Sequence, residues 1–254
     1  MSKLYPYLSI MSSKGVLDFI RRDVIIKAVY DTEVTMVTYN ELRKNEEIKT
    51  YIRTADESLE ALGYTEHSFA HVTKVASVAE YILSETGHSE HEIELVKIAA
   101  YLHDIGNLVN RADHSQSGAV MAFRILRELG MDAPDVAAVV CAIGNHDEGC
   151  GVPVSDLSAA LILADKSDVR RSRVRNPDVS TFDIHDRVNY SVTSSDLKID
   201  REKKEIALCL QIDTRHSNVM DYFEIFLERM MLCRKAAEKL SLKFRLYIND
   251  QNIL

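Results

Sequence analysis

Residues 91–106 read HEIELVKIAAYLHDIG, and this stretch decides the fold. It is a helical block whose closing turns, KIAAYL, are mostly apolar, and it runs into His103, Asp104 and then Gly106. A glycine just past a periodic segment is a helix stop, because it takes the left-handed conformation at little cost. The pattern predicts a buried helix that delivers an imidazole and a carboxylate side by side at its end. Burying such a pair is costly unless something partners it.

Working outward, the neighbouring blocks follow the same rule. TADESLEAL (54–62) stops at Gly63, SFAHVTKVASVAEYILSET (68–86) at Gly87, and SGAVMAFRILREL (117–129) at Gly130. In the second block Val72, Val75, Ala76, Ala79, Ile82 and Leu83 recur at three- and four-residue steps, which makes one apolar face. In the last, Val120, Phe123, Leu126 and Leu129 show the same spacing. No proline lies between Pro6 and Pro134, so nothing breaks the run. The expected fold is mainly α, a helical bundle over 54–180. After a boundary near 178–190 the period changes. Residues 191–197 and 205–213 alternate around the charged turn DREKK, an amphipathic helix spans roughly 219–240, and LKFRLYI (242–248) alternates again. A small α+β appendage, strand-strand-helix-strand over 185–254, is expected, with an edge strand suited to homodimerisation or regulation. Residues 1–53 are less legible, although SKGVLDFIRRDVIIKAV (13–29) has helical character.

The whole chain has 254 residues and 31 basic against 39 acidic side chains, a net charge of −8. That balance disfavours non-specific binding to nucleic acid or anionic membranes, both of which attract a basic face. Cys141, Cys150, Cys209 and Cys233 form no CxxC pair and no disulfide framework. No signal-like start is present, and no run approaches the ~18 apolar residues of a membrane span. A cytoplasmic protein is expected.

Five of the nine histidines, with two aspartates, form a chemical constellation: His67, His71, His103, Asp104, His114, His146 and Asp165. His67 and His71 are four apart at a helix start and share a face. His103-Asp104 and His146 close helices, His114 opens one, and Asp165 lies late in a helix that begins near Ser155. Side chains at the ends of antiparallel helices converge in bundle cores, where metal sites are often built. Imidazole and carboxylate without thiolate suit iron, manganese, cobalt, zinc or magnesium. Seven candidates exceed one closed site and fit two divalent ions, with Asp104 as the bridging carboxylate.

KSDVRRSRVR (166–175) then sets five basic residues against one acid. Lys166 and Arg170 are four apart and are candidates to bind and neutralise a phosphate, with Arg171 beside them. Arg173 and Arg175 fall past the helix end. Asp168 is a candidate partner for a ligating histidine. His88, His91, His185 and His216 read as ordinary core or surface residues.

Over residues 67–168 the sequence resembles the HD superfamily of metal-dependent phosphohydrolases. The likeness rests on His71-Val72, the LHDIG segment at 102–106, His114 followed by Gly118-Ala119, Asn145-His146 and Ala164-Asp165. It implies His71, His103, Asp104 and Asp165 as the metal-binding skeleton. His67, His114 and His146 are similar to extra ligand positions of the HD-GYP branch, where the place of His67 is typically a glutamate. Two departures stand out. Asn107 replaces a lysine of that branch thought to bind phosphate, and Asn145 replaces one histidine of a pair. GCGVP (149–153) keeps no tyrosine of the GYP triplet, so cleavage of cyclic dinucleotides does not carry over.

The resemblance implies a hydrolase acting on a small phosphorylated metabolite or nucleotide. His71, His103 and Asp165 complete the shell of one ion, and His67, His114 and His146 that of the other. Asp104, Lys166 and Arg170 are the expected catalytic groups, and Arg171 and Asn107 further substrate contacts. The alternatives are a non-catalytic regulatory module that binds metal and a phospho-ligand and, less favoured, a di-iron oxygenase.

Overall fold

A computed structural model describes residues 37–254 of the chain, which form one compact unit. The helical character read at 13–29 lies outside the described residues. The fold is mostly helical with a small C-terminal sheet, as the sequence pattern predicts.

Helix α1 (Tyr39–Lys44) leads into α2 (Glu46–Ala61), which Asn45 caps through its side chain. Ile48, Ile52, Ala55 and Leu59 form the buried stripe of α2, which continues without a break across residues 53 and 54. Helix α3 (Phe69–Glu85) is capped by Ser68, and buries His71 together with the predicted apolar face. Helix α4 (Glu90–Leu102) starts on a Ser89–Glu92 capping box and is buried almost all round in its last turns. Helices α5 (His114–Glu128) and α6 (Ala133–Gly144) follow, and then α7 (Asp156–Ser167), whose residues 157–167 are all buried. Helices α4 and α7 are the axis of the bundle, because a helix apolar on every side needs neighbours on every side.

Two local expectations are corrected. Gly63, Gly87 and Gly130 take positive φ, as helix stops should, but Gly106 does not. It sits in a short 3₁₀ turn (Ile105–Leu108), where a Cβ would lie 1.9 Å from the His114 carbonyl and 2.5 Å from the Gly118 nitrogen. Glycine is needed there for close approach. The second correction follows from the first. Helix α5 does not turn Val120, Phe123 and Leu129 inward, since these are exposed. Its buried stripe is His114, Ser115, Gly118, Ala119, Ala122 and Leu126. Small residues let the helix press against the 3₁₀ turn, and large ones on that face would hold it away.

Helix α8 (Ile184–Ser191) leads into β1 (Val192–Asp200) and β2 (Glu205–Ile212), which pair antiparallel. Helix α9 (Val219–Lys239) crosses over, so β3 (Lys243–Ile248) lies parallel to β2, and a short β4 (Gln251–Asn252) closes the sheet in the order β1-β2-β3-β4. The alternation is clean: Ile206, Leu208, Leu210, Phe244, Leu246 and Ile248 are buried. Helix α9 packs between this sheet and α7. Among the described residues no helix is long and apolar enough to cross a membrane.

Candidate metal centre

His103 and Asp104 stand at the turn that ends α4, His71 lies in the first turns of α3, and Asp165 is near the end of α7. His114 opens α5, and His146 follows Asn145, which caps α6. His67 precedes the cap of α3 and so does not lie on the helix with His71. Its ring still packs on the His71 ring, with centroids 5.4 Å apart. The backbone holds it there: its N–H donates to Asp56 Oδ1 at 2.7 Å, and its Nδ1 meets the Thr65 carbonyl at 2.6 Å.

All seven candidate ligands are thus in one region, and their orientations share a logic. His103 Nδ1 meets the Ala100 carbonyl at 2.7 Å, His146 Nδ1 the Ile143 carbonyl at 2.7 Å, and His114 Nδ1 the Arg111 carbonyl at 3.1 Å. His71 Nδ1 meets Asp168 Oδ2 at 2.8 Å. Each acceptor fixes the proton on Nδ1 and leaves Nε2 as the free lone pair. Those lone pairs then face one another. His71 Nε2 is 3.3 Å from His103 Nε2, and His114 Nε2 is 3.2 Å from His146 Nε2. Two acceptors that close repel unless a proton or a metal ion lies between them.

Asp104 lies between the two histidine pairs. Its Oδ2 is 3.5 Å from His71 Nε2 and 3.2 Å from His103 Nε2, whereas its Oδ1 is 3.5 Å from His114 Nε2. Asp165 Oδ1 faces the first pair, 3.3 Å from His71 Nε2. Among the described residues Asp104 Oδ2 is buried and has no hydrogen-bond donor, an orphaned acceptor that a metal ion would satisfy. Two groups bring ligand atoms within 4.8 Å of one another, namely His71, His103, Asp165 and His103, Asp104, His146. The residues present therefore fit divalent metal.

The electrostatics agree. Burial opposes charge on His103, but Asp104 and Asp165 outweigh it and hold its pKa at about 10. The carboxylates stabilise positive charge at this spot, and a divalent ion meets the same demand. Burial pushes His146 down to about 3, assisted by His103. Burial also lowers His67 and His114, keeping all three imidazoles in the neutral form that binds metal. Asp104 and Asp165 stay well below the carboxylate range: burial opposes this, but His103 and Lys166 respectively prevail.

The expected phosphate contacts are placed differently from one another. Lys166 is buried, with its ammonium 2.7 Å from Asp165 Oδ2 and 3.0 Å from Glu148 Oε2. Arg170 pairs with Asp168 and Glu66 at 3.0 and 2.9 Å. Arg171 donates to the Tyr190 carbonyl at 2.6 Å. Asn107 donates to the Asp104 backbone and side-chain oxygens at 2.9 and 3.1 Å, and so supports the ligand directly.

Beside the centre lies a cavity of about 410 Å³ reached past His67. Arg111, Arg173 and Arg229 line it, and none of them was singled out as a contact from sequence. Arg111 had a local signal, being three residues before His114. Arg229 had none, since α9 is brought there only by packing. Glu148 was also missed; it ties Lys166 to Arg229, whose Nε is 2.6 Å away. His185, read as an ordinary residue, lies on the cavity wall, while His88, His91 and His216 pair with Asp156, Asp135 and Asp213.

A helical bundle with a buried histidine and aspartate cluster at its helix ends is the class of protein that fold and site define. Residues 68–171 match the model of the HD domain family. Over 216 residues the chain is 26% identical to an uncharacterized protein of Methanocaldococcus jannaschii, covering 76% of this chain and 81% of that one. Among solved structures it is similar to a predicted HD superfamily hydrolase from an uncultured Thermotogales bacterium. That likeness has 28% identity and a TM-score of 0.40, and covers 49% of this chain and 68% of the other.

Proposed function

We propose that the protein is a metal-dependent phosphohydrolase, with two divalent ions in its centre, acting on the phosphate ester of a small metabolite or nucleotide. The observation that carries this reading is Asp104, whose two oxygens face different histidine groups. Bound divalent ions supply a hydroxide nucleophile at neutral pH and neutralise phosphate charge. The chain's own residues do the rest. His71, His103 and Asp165 would hold one ion, and His114 and His146 the other, with His67 flanking His71. Asp168 and the backbone carbonyls keep every Nε2 turned inward. Lys166 orients Asp165 through its 2.7 Å contact.

Charge on the substrate is met from the cavity. Arg111 Nη1 is 3.5 Å from His114 Nε2 and 3.3 Å from Asn107 Oδ1, which brings a cation to the side where Asn107 stands in place of the lysine of the HD-GYP branch. Arg173 and Arg229 add two more. Pre-placed cations of this kind stabilise developing phosphate charge without reorganisation. We assign the activity to the cytoplasm.

The test is Asp104→Ala, measured for metal content by mass spectrometry and for phosphate release from an aryl phosphate with added manganese. Metal content and hydrolysis should fall together. A variant that stays loaded and active overturns the assignment. A wild-type chain that holds metal but releases no phosphate from any ester would favour the regulatory module, a reading that Asn107 in place of the lysine of the HD-GYP branch also supports.

A further inference from the structure

The cavity is lined by two chemically different sets of groups. Arg111, Arg173 and Arg229 of α9 present donors, and Arg111 Nη1 lies 3.5 Å from His114 Nε2 of the centre. Arg173 is fixed at the wall, its Nε donating to the Glu66 carbonyl at 2.8 Å and its Nη1 to the Asp168 carbonyl at 2.7 Å. Asp183, which caps α8, and Asp186 and Asn189 within it line the same cavity. These present acceptors. Asn189 spends its Nδ2 on the His185 carbonyl at 2.9 Å, which leaves its Oδ1 for a donor. Asp186 is engaged through one oxygen, on Asn176 at 3.3 Å, and Asp183 through one oxygen, on the Asp186 backbone at 2.8 Å. Among the described residues, Asp186 Oδ1 and Asp183 Oδ2 accept no hydrogen bond.

A ligand that fits carries a phosphate at one end and several hydrogen-bond donors at the other. We infer that α8 and α9, which follow the segment matched by the family model, form a specificity wall and that the ligand is a phosphorylated polyhydroxy compound whose hydroxyls are read by Asp183, Asp186 and Asn189. The carboxylates repel a second anionic group, so a dicarboxylate or a bisphosphate is disfavoured at that end. A cavity of about 410 Å³ is within the range of small-ligand sites. This inference rests on the phosphohydrolase reading for its phosphate end only.

The test uses the full chain loaded with manganese and reads recognition in two ways. If esters are hydrolysed, kcat/KM for ribose 5-phosphate should exceed that for an aryl phosphate by about tenfold or more, the scale of a hydroxyl bonded to a charged acceptor. If none is hydrolysed, calorimetric titration should show the same preference for ribose 5-phosphate over inorganic phosphate. The second arm separates failure of the hydrolase reading from failure of this one. Asp186→Ala should cut the preference to below about threefold. Asp183→Asn, which keeps the helix cap, should weaken it without unfolding α8. Adenosine 5′-monophosphate favoured over ribose 5-phosphate places the hydroxyls on a nucleotide, and the reverse places them on a free sugar phosphate. Equal handling of ribose 5-phosphate and the simple phosphate, or a preference that survives both substitutions, overturns the inference.

Discussion

Asp168 Oδ2 lies 2.8 Å from His71 Nδ1, although 97 residues separate the two in sequence. The carboxylate accepts the Nδ1 proton and thereby presents His71 Nε2 to the metal centre. Both side chains are fully buried, and burial alone would raise Asp168. The bond from His71 and the charge of Arg173 instead hold it well below the carboxylate range. Removing such a partner typically costs 10–100-fold in metal affinity. Asp168→Asn should therefore lower manganese affinity by about tenfold, and Asp168→Ala by more, as measured by calorimetry. Unchanged affinity in both would show that the bond does not orient the ligand.

Lys166 is enclosed by Asp165 and Glu148 and lies next to the metal ligand rather than in the cavity. Lys166→Met removes the cation beside Asp165, while Glu148 keeps Arg229 at 2.6 Å, and breaking a buried pair costs about 3–5 kcal/mol. Denaturant unfolding should show that loss. A stable Lys166→Met protein with abolished hydrolysis would instead make Lys166 a direct phosphate contact.

Glu148 is one source of pH dependence, beside the depressed Asp104, Asp165 and Asp168. Burial opposes ionisation of Glu148, but Arg229 and Lys166 prevail and keep it well below its ordinary value of 4.5. A depressed carboxylate contributes stability above its unfolded pKa and loses that contribution as the pH falls through the folded one. Stability should thus decline from about pH 5 downward, and Glu148→Gln should flatten the acid limb by up to about 1.4 kcal/mol per pH unit. Equal slopes for both proteins, from urea melts across that range, would exclude Glu148 as a source.

Gly106→Ala and Gly130→Ala separate two uses of glycine. At 106 a methyl meets the backbone of His114 and Gly118, which cannot yield without moving α5 and its ligand. At 130 no atom lies within 4 Å, and the cost is only the positive φ of 86°, about 1–2 kcal/mol. Thermal melts should show the first variant far less stable and depleted of metal, and the second mildly destabilised and fully loaded.

Helix existence was legible because apolar spacing and capping residues act locally. Ser68, Ser89 and Ser155 start their helices through hydrogen bonds within a few residues. The face turned inward by α5 was not legible, since Val120, Phe123 and Leu129 have the right period on the exposed side. What decides that helix is the demand for close approach at Gly106, a requirement of its neighbour.

The site divides in the same way. The seven candidate ligands follow from residue chemistry, order and the family resemblance, and all but His67 lie at or near helix ends that local sequence defines. Tertiary structure decided which oxygen of Asp104 faces which histidines, that Lys166 turns toward Asp165, and that Arg229 reaches the cavity from a helix beyond the segment matched by the family model. The partners range from sequence neighbours, Asp165 and Lys166, to Glu148 and Arg229, 81 residues apart. Their distances are fixed by how the bundle packs α4 and α7 at its centre and lays α9 against α7, and no local pattern carries that information.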